Sequence, residues 1–331
     1  MITFWQQENN KLIHLEKEEL DLDKKTWIDA RSVTSEDIKI LEEEYGVYRE
    51  HVLDILDQDE MSRIEPDDDY TLLIFRLPIF NPENDVPYLT IPIGIVLFPD
   101  KIITICWTDC EVLKDIASNR VKNISIDDFV TFILKIMSRT DISFLRYLKE
   151  INRRTITIQG ELQMSVKNNE LIQLFNLEKS LEYFTTSLKS NQLFIEKLYK
   201  TKSIRLDEDQ RDFLDDIAID NRQAIEMTDI YSNILSGMMD AFASVISNNL
   251  NIVMKRLTVV SLVLNVPTLI VSFFGMNIKL PFANSGWIGT VCVCSICLVA
   301  TFLASLILKD KPVKEKRRKK KKRKYKQTDE N

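Results

Sequence analysis

Glycine is scarce in this chain, at seven residues in 331. Phosphate loops of the G-x-G-x-x-G and G-x-x-x-x-G-K-[ST] kinds spend several glycines on tight backbone turns. Neither pattern occurs, which argues against the common nucleotide chemistries. Histidine is scarcer still: His14 and His51 lie far apart and form no zinc-spaced pair. The five cysteines are Cys106, Cys110, Cys292, Cys294 and Cys297, an odd number without a disulfide-like pattern. The last three lie in an apolar run, where Cys behaves as a small hydrophobe, and a reducing, cytosolic setting suits the soluble part. No catalytic chemistry is expected.

Charge is plentiful but unevenly placed. The net charge is −6, yet residues 309–331 hold 13 Lys and Arg against 4 Asp and Glu. Residues 1–308 keep the other 31 basic and 46 acidic groups, a net of −15. Such acidity usually serves solubility; beyond that, an acidic body with a basic tail suits cations as partners and not nucleic acid.

Two long uncharged runs stand near the C-terminal end, 18 residues from Leu257 to Phe274 and 22 from Trp287 to Leu308. At about 1.5 Å per residue each is long enough to cross ~30 Å of hydrocarbon. Their position rules out an N-terminal signal peptide. Only 12 residues, Gly275 to Gly286, connect them, so they form a helical hairpin with both outer ends on one side. Lys255 and Arg256 precede the first span and the basic run follows the second, which puts both ends in the cytoplasm. The basic run is then placed to meet anionic lipid head groups.

The first span is not uniformly apolar. Ser261, Asn265, Thr268 and Ser272 recur at steps of 4, 3 and 4 and share one helical face. Extended backward, the stripe takes in Leu257, Met254 and Asn251; extended forward, Gly275. A polar stripe in a span faces a neighbouring helix or water, and the pattern alone favours the neighbouring helix. One hairpin cannot enclose a pore, so conduction requires several subunits around an axis. Pro267 loosens this helix, which neighbours that satisfy the freed carbonyl make tolerable.

Upstream, residues 1–125 read as an α/β domain with a small sheet. Strand-like runs are 11–17, 27–33, 70–80 and 91–107, the last with a Pro99-Asp100 turn at its centre. Ser35–Tyr45 and Glu50–Leu56 read as helices between them. Residues 126–204 are long, charged and periodic, as antiparallel helices require. A stalk helix over 205–256 then runs into the first span at 257–275. If unbroken to Phe274 it is ~100 Å long, and a helix of that length needs partners along its course. An outer loop at 276–286, the second span at 287–308 and the basic tail at 309–331 complete the chain.

The sequence FFGMN at 273–277 closes the first span, after a long stalk and before a short loop and second span. This arrangement, with NIVMKRLTVV at 251–260 and HVLDILDQDEMSRIEPDDDYTLLIFRLP at 51–78, resembles the CorA family of divalent-cation channels over about residues 27–308. The resemblance implies an α+β cytoplasmic funnel domain, a long stalk helix, two C-terminal transmembrane helices and a homopentamer in the plasma membrane. It implies that five first spans line the pore and that Gly275, Met276 and Asn277 ring its outer mouth, where Mg2+ arrives hydrated. It assigns Ser272, Thr268, Asn265 and Ser261 to the pore wall, and Leu257, Met254 and Asn251 to the gate. It assigns regulatory Mg2+ binding between subunits to Asp54 in VLDIL and Asp216 in FLDDIAID, with Asp215 or Asp220 as alternatives to the latter.

The function so implied is a Mg2+ channel importing the hydrated ion, with cytosolic Mg2+ closing it. The alternatives are Zn2+, Co2+ or Ni2+ transport on the same frame, or a membrane-anchored scaffold or sensor that conducts nothing. An anchor would not need the polar stripe. The chain departs from the family pattern at Phe274, where Tyr is common, and in the loop IKLPFANSG, which has no acid and carries Lys279. Softer metals recruit Cys or His, and none lies on the stripe, so Mg2+ is the first choice.

Overall fold

The structure is a computed structural model that describes residues 1–164, 168–276 and 286–308. Asn277, Lys279 and the 309–331 tail lie outside the described residues. The chain divides into two compact units, Met1–Ala243 and Ser244–Asn331.

The first unit is built on a seven-stranded sheet of order β2-β1-β3-β7-β6-β5-β4. Its strands are β1 (Ile2–Glu8), β2 (Lys11–Leu15), β3 (Thr26–Arg31), β4 (Arg63–Pro66), β5 (Thr71–Phe80), β6 (Tyr88–Leu97) and β7 (Lys101–Cys106). All neighbours are antiparallel except β3 and β7, which run parallel. The sheet is therefore not small. The two strands that pattern reading passes over are β1 and β4. The signal for β1 was the Asn9-Asn10 pair, both at positive φ (51° and 61°), closing a hairpin with Glu8 opposite Lys11. Two left-handed residues are what a two-residue hairpin loop asks for, and Asn tolerates them. Strand β4 is four residues at the sheet edge, too short to declare a period.

Helices cover both faces of this sheet. On one face, α1 (Ser35–Glu43) and α2 (Arg49–Leu56) bury Leu41, Val52 and Ile55 against Ile28, Leu72, Ile74, Val96 and Ile103. Alternate strand residues, Trp27, Leu73, Phe75, Ile93, Ile95 and Ile102, bury the other face against Phe132, Phe194, Leu198, Leu214 and Ile217. Burial on both sides explains why β5 reads as a continuous apolar run and not as an alternation. Thr34 caps α1: its hydroxyl accepts from the Asp37 N–H at 3.2 Å, and the Asp37 carboxylate accepts from the Thr34 N–H at 2.9 Å. The parallel pair is pinned by a buried relay, Trp27 Nε1 donating to Thr104 and Thr104 donating to Asp29, each at 2.9 Å. Burial pushes the Asp29 carboxyl up, and Arg31 beside it pulls the other way.

The helical layer comprises α3 (Glu111–Ala117), α4 (Phe129–Met164), α5 (Asn168–Lys200) and the first part of α6 (Glu208–Phe274). In this unit α6 buries Gln210, Leu214, Ile217, Asn221, Ala224, Thr228, Leu235 and Phe242. The steps of 4, 3, 4, 3 and 4, then two of 7, are a heptad seam. Such a seam lets a long helix keep one face against neighbours. Phe144, Leu148, Ile151, Leu177, Leu181, Phe184 and Leu188 of α4 and α5 meet it. In the second unit α6 continues to Phe274, and α7 (Gly286–Leu308) follows the connecting loop.

Gly94 in β6 has no room for a side chain. A Cβ there would lie 2.2 Å from Ile55 Cδ1 and 2.4 Å from Ile55 Cγ1, and Ile55 is fully buried. Gly94→Ala should lower stability by about 1–3 kcal/mol, the usual cost of overpacking a core. Combining it with Ile55→Val should cost less than the sum of the two single changes, because they share one contact. Denaturant titration followed by tryptophan fluorescence reads both, and strict additivity would show that Ile55 is not the obstacle.

Candidate functional site

Among the described residues, no group of three or more His, Cys, Asp and Glu is arranged to hold a metal. His51 is taken up by the Tyr70 hydroxyl at 2.7 Å, and His14 packs edge-on against the Trp5 ring. Cys106 and Cys110 are buried and free, and the other three cysteines lie on α7. The candidate site is instead a surface, the unpaired side of the hairpin made by α6 and α7.

Both helices are long and apolar enough to cross a membrane. On α6 the partly covered positions are Val259, Val263, Val266, Pro267, Ile270 and Phe274. On α7 the covered or partly covered ones include Gly289, Val293, Cys297, Ala300 and Ala304. Both sets recur at steps of three and four, so each helix has one covered face and one open face. The α7 face is rich in small residues, which let two membrane helices approach closely. Ser261, Asn265, Thr268 and Ser272 follow Val259, Val263, Val266 and Ile270 by two positions each. Two positions are ~200° of helical turn. The whole polar stripe therefore points away from the covered face of α6, and all four residues are exposed. Met254 and Leu257 also lie open, at 55% and 58% exposure, as do Asn251 and Met276.

Thr268 donates its hydroxyl hydrogen to the Leu264 carbonyl at 3.0 Å. Its oxygen lone pairs remain open, so it presents an acceptor outward. The helix runs through Pro267 without interruption and ends where the Gly275 N–H donates to Val271 and Ser272 carbonyls, at 3.0 and 3.2 Å. Gly275 has no local need to be glycine: a Cβ would meet only Val271 O at 3.4 Å and Ser272 O at 3.5 Å, ordinary contacts.

The chain as described matches the profile of the family CorA, described as CorA-like Mg2+ transporter protein, over residues 23–312. It belongs to the CorA family. It is 28% identical over 265 residues to the cobalt/magnesium transport protein CorA of Methanocaldococcus jannaschii, covering 78% of this chain and 82% of that one. It is 21% identical over 264 residues to the magnesium transport protein CorA of Helicobacter pylori, covering 76% and 79%. The complete structure of the CorA magnesium transporter from M. jannaschii shares the fold, with TM-score 0.76 and 24% identity over 93% of this chain and 96% of that one.

The two acidic positions of this CorA-family chain are not brought together within one copy. Asp54 lies on α2, on the face of the sheet opposite the layer that Asp216 joins through α6. Arg63 holds the Asp54 carboxylate at 2.7 Å and also reaches Glu60 and Glu65. Asp216 is exposed, and its neighbour Asp215 accepts the Tyr199 hydroxyl. Sequence reading did not foresee Arg63 as a competitor for Asp54, because the contact spans the turn between α2 and β4.

Proposed function

We propose that this chain assembles as a homopentamer in the plasma membrane and forms a Mg2+-selective channel, with both termini cytoplasmic, that imports the hydrated ion. The observation that carries this is the exposed polar stripe on α6, opposite the covered face of that helix. In a single hairpin that stripe would face hydrocarbon, where each unsatisfied polar group is costly. Around a common axis it lines a wet path. Mg2+ gives up its waters reluctantly, and those waters donate hydrogen bonds. Hydroxyl and carboxamide oxygens accept them without stripping the ion. A membrane potential supplies about 4.6 kcal/mol per 100 mV for a divalent cation moving inward. Gly275, which nothing within one chain requires, suits a mouth where neighbouring backbones approach. Co2+ is a second cargo, on the name of the M. jannaschii relative.

Flux of Mg2+ into liposomes that hold the purified protein tests this reading, and a folded pentamer without flux would overturn it. Asn277→Ala should abolish most conduction and leave assembly intact, because a ring of carboxamides holds the waters of the ion. Conduction equal to the parent would place selectivity elsewhere. Leu257→Gly should act with the opposite sign: it wets a hydrophobic constriction and raises leak. An unchanged leak would remove Leu257 from the gate.

Regulation follows from Asp54 and Asp216 as a shared Mg2+ site between neighbouring copies, since one copy holds them on opposite faces. Bound cytosolic Mg2+ favours the closed state, and its loss releases it. Mg2+ should then protect the stalk from proteolysis, and Asp54→Asn or Asp216→Asn should raise the Mg2+ needed and keep the channel open at higher cytosolic Mg2+. The double variant should lose no more than either single one. Arg63→Gln should shift protection to lower Mg2+, because the guanidinium competes for the same carboxylate. A protection curve unmoved by all three changes would refute the site.

A further inference from the structure

The contact between α4 and α6 contains an acid with no cation. Asp141 on α4 and Asn221 on α6 are 3% and 1% exposed, and Asn221 Nδ2 donates to Asp141 Oδ1 at 3.3 Å. The other end of the amide, Asn221 Oδ1, is buried without a donor. A carboxylate offers only acceptors, so an ionised Asp141 would leave both a buried charge and that orphaned oxygen. A carboxylic acid has one O–H. Turned to Asn221 Oδ1, it closes a reciprocal pair in which acid and amide each donate once and accept once.

Among the described residues, the neighbouring cations and hydroxyl donors are engaged elsewhere or exposed. On α4 itself, Arg139 is committed to Asp115 and Arg146 to Glu111. Lys135 lies over the Phe213 ring at 4.6 Å. The Thr140 and Ser143 hydroxyls donate back to Ile136 and Arg139 carbonyls, both at 2.9 Å. On α6, Asp220 is half-buried and of like charge, while Asp215, Asp216 and Arg222 are exposed. On α3, Asp115 is shared between Arg120 and Arg139. On α5, Phe184 packs on Phe144 at 5.0 Å, and the flanking Glu182 and Lys189 are exposed.

We propose that Asp141 is held as a neutral carboxylic acid paired with the Asn221 carboxamide, a proton-dependent fastening between α4 and the α6 stalk. This stands apart from the transport reading. Burial is the largest influence and holds the Asp141 carboxyl well above the ordinary carboxylate range; the bond from Asn221 opposes it and Asp220 adds to it. The folded protein then binds this proton more tightly than the unfolded chain. The contribution to stability is full below the ordinary Asp value of about 3.9 and is lost as pH rises toward the folded value.

The test uses the full-length protein in detergent. Asp141→Asn keeps both hydrogen bonds as an amide–amide pair and removes the titration. It should assemble, melt no lower than the parent at pH about 5, and lose less melting temperature than the parent between pH about 5 and about 8. Asp29, also raised by burial, contributes equally to both proteins and cancels in the comparison. A variant that melts lower at pH about 5, fails to assemble, or shows the parent's pH slope would overturn the proposal. Infrared spectroscopy gives a second readout. The parent should show a protonated-carboxyl C=O band at neutral pH that moves to higher frequency in Asn221→Leu, and a band unmoved by that change, or missing from the parent, would also overturn the proposal.

Discussion

The 67-residue α6 makes its own backbone hydrogen bonds, but its apolar face needs a packing partner in water and its polar side chains need one in lipid. The sequence meets that demand in two different ways. In the first unit α6 carries a heptad seam of buried residues from Gln210 to Phe242, met by α4 and α5. In the second unit the seam is replaced by a narrow, partly covered row of Val, Pro, Ile and Phe. The rest of the structure depends on this helix staying continuous through both regimes. It carries the exposed polar stripe, the proposed gate and one of the two acids proposed to regulate it.

Much of this was legible from periodicity because membrane helices and stalks are one-dimensional objects. The uncharged runs, the stripe at Ser261, Asn265, Thr268 and Ser272, and the proline-free stretch before them are statements about spacing, and spacing survives folding. The sheet was less legible. Strand β1 splits its apolar residues between the two faces of the sheet, Ile2 and Phe4 on one and Trp5 on the other, all half-buried, so no alternation marks it. The burial of both faces of β5 and β6 depends on α1 and α2 before them and on α4, α5 and α6 well after them, which no local window contains. The asymmetry between the two sides of α6 in the span also needed the structure, because spacing cannot say which face is covered.

The polar groups of the chain divide by the kind of partner they await. On the stripe, hydroxyl and amide oxygens lie open and are not charged, which suits a partner that brings its own water and must leave again. A ring of carboxylates in that place would bind a divalent cation more tightly and slow its departure. The cysteines of α7 serve a different purpose. Cys297 is buried beside Ala300 and Ala304, where a small side chain permits close helix approach, and it contributes no ligand to the stripe.

The acids of the first unit divide in a similar way. Asp54 and Asp216 sit at the surface on opposite faces of the sheet, so within one copy no cation can join them. Arg63 holds Asp54 Oδ2 at 2.7 Å while also reaching Glu60 and Glu65, so one guanidinium is shared among three carboxylates. In the proposed regulation this arginine would compete with a cation for Asp54, and a second acid from a neighbouring copy would help the cation to win. Asp141 is the opposite case, buried, without a cation and facing a neutral amide. In the proposed scheme one set would answer to metal and the other to protons, and each has a member on α6, Asp216 in the first and Asn221 as the partner of Asp141 in the second. Either kind of neutralisation would remove like-charge repulsion from the body of the chain, whose net charge over residues 1–308 is −15.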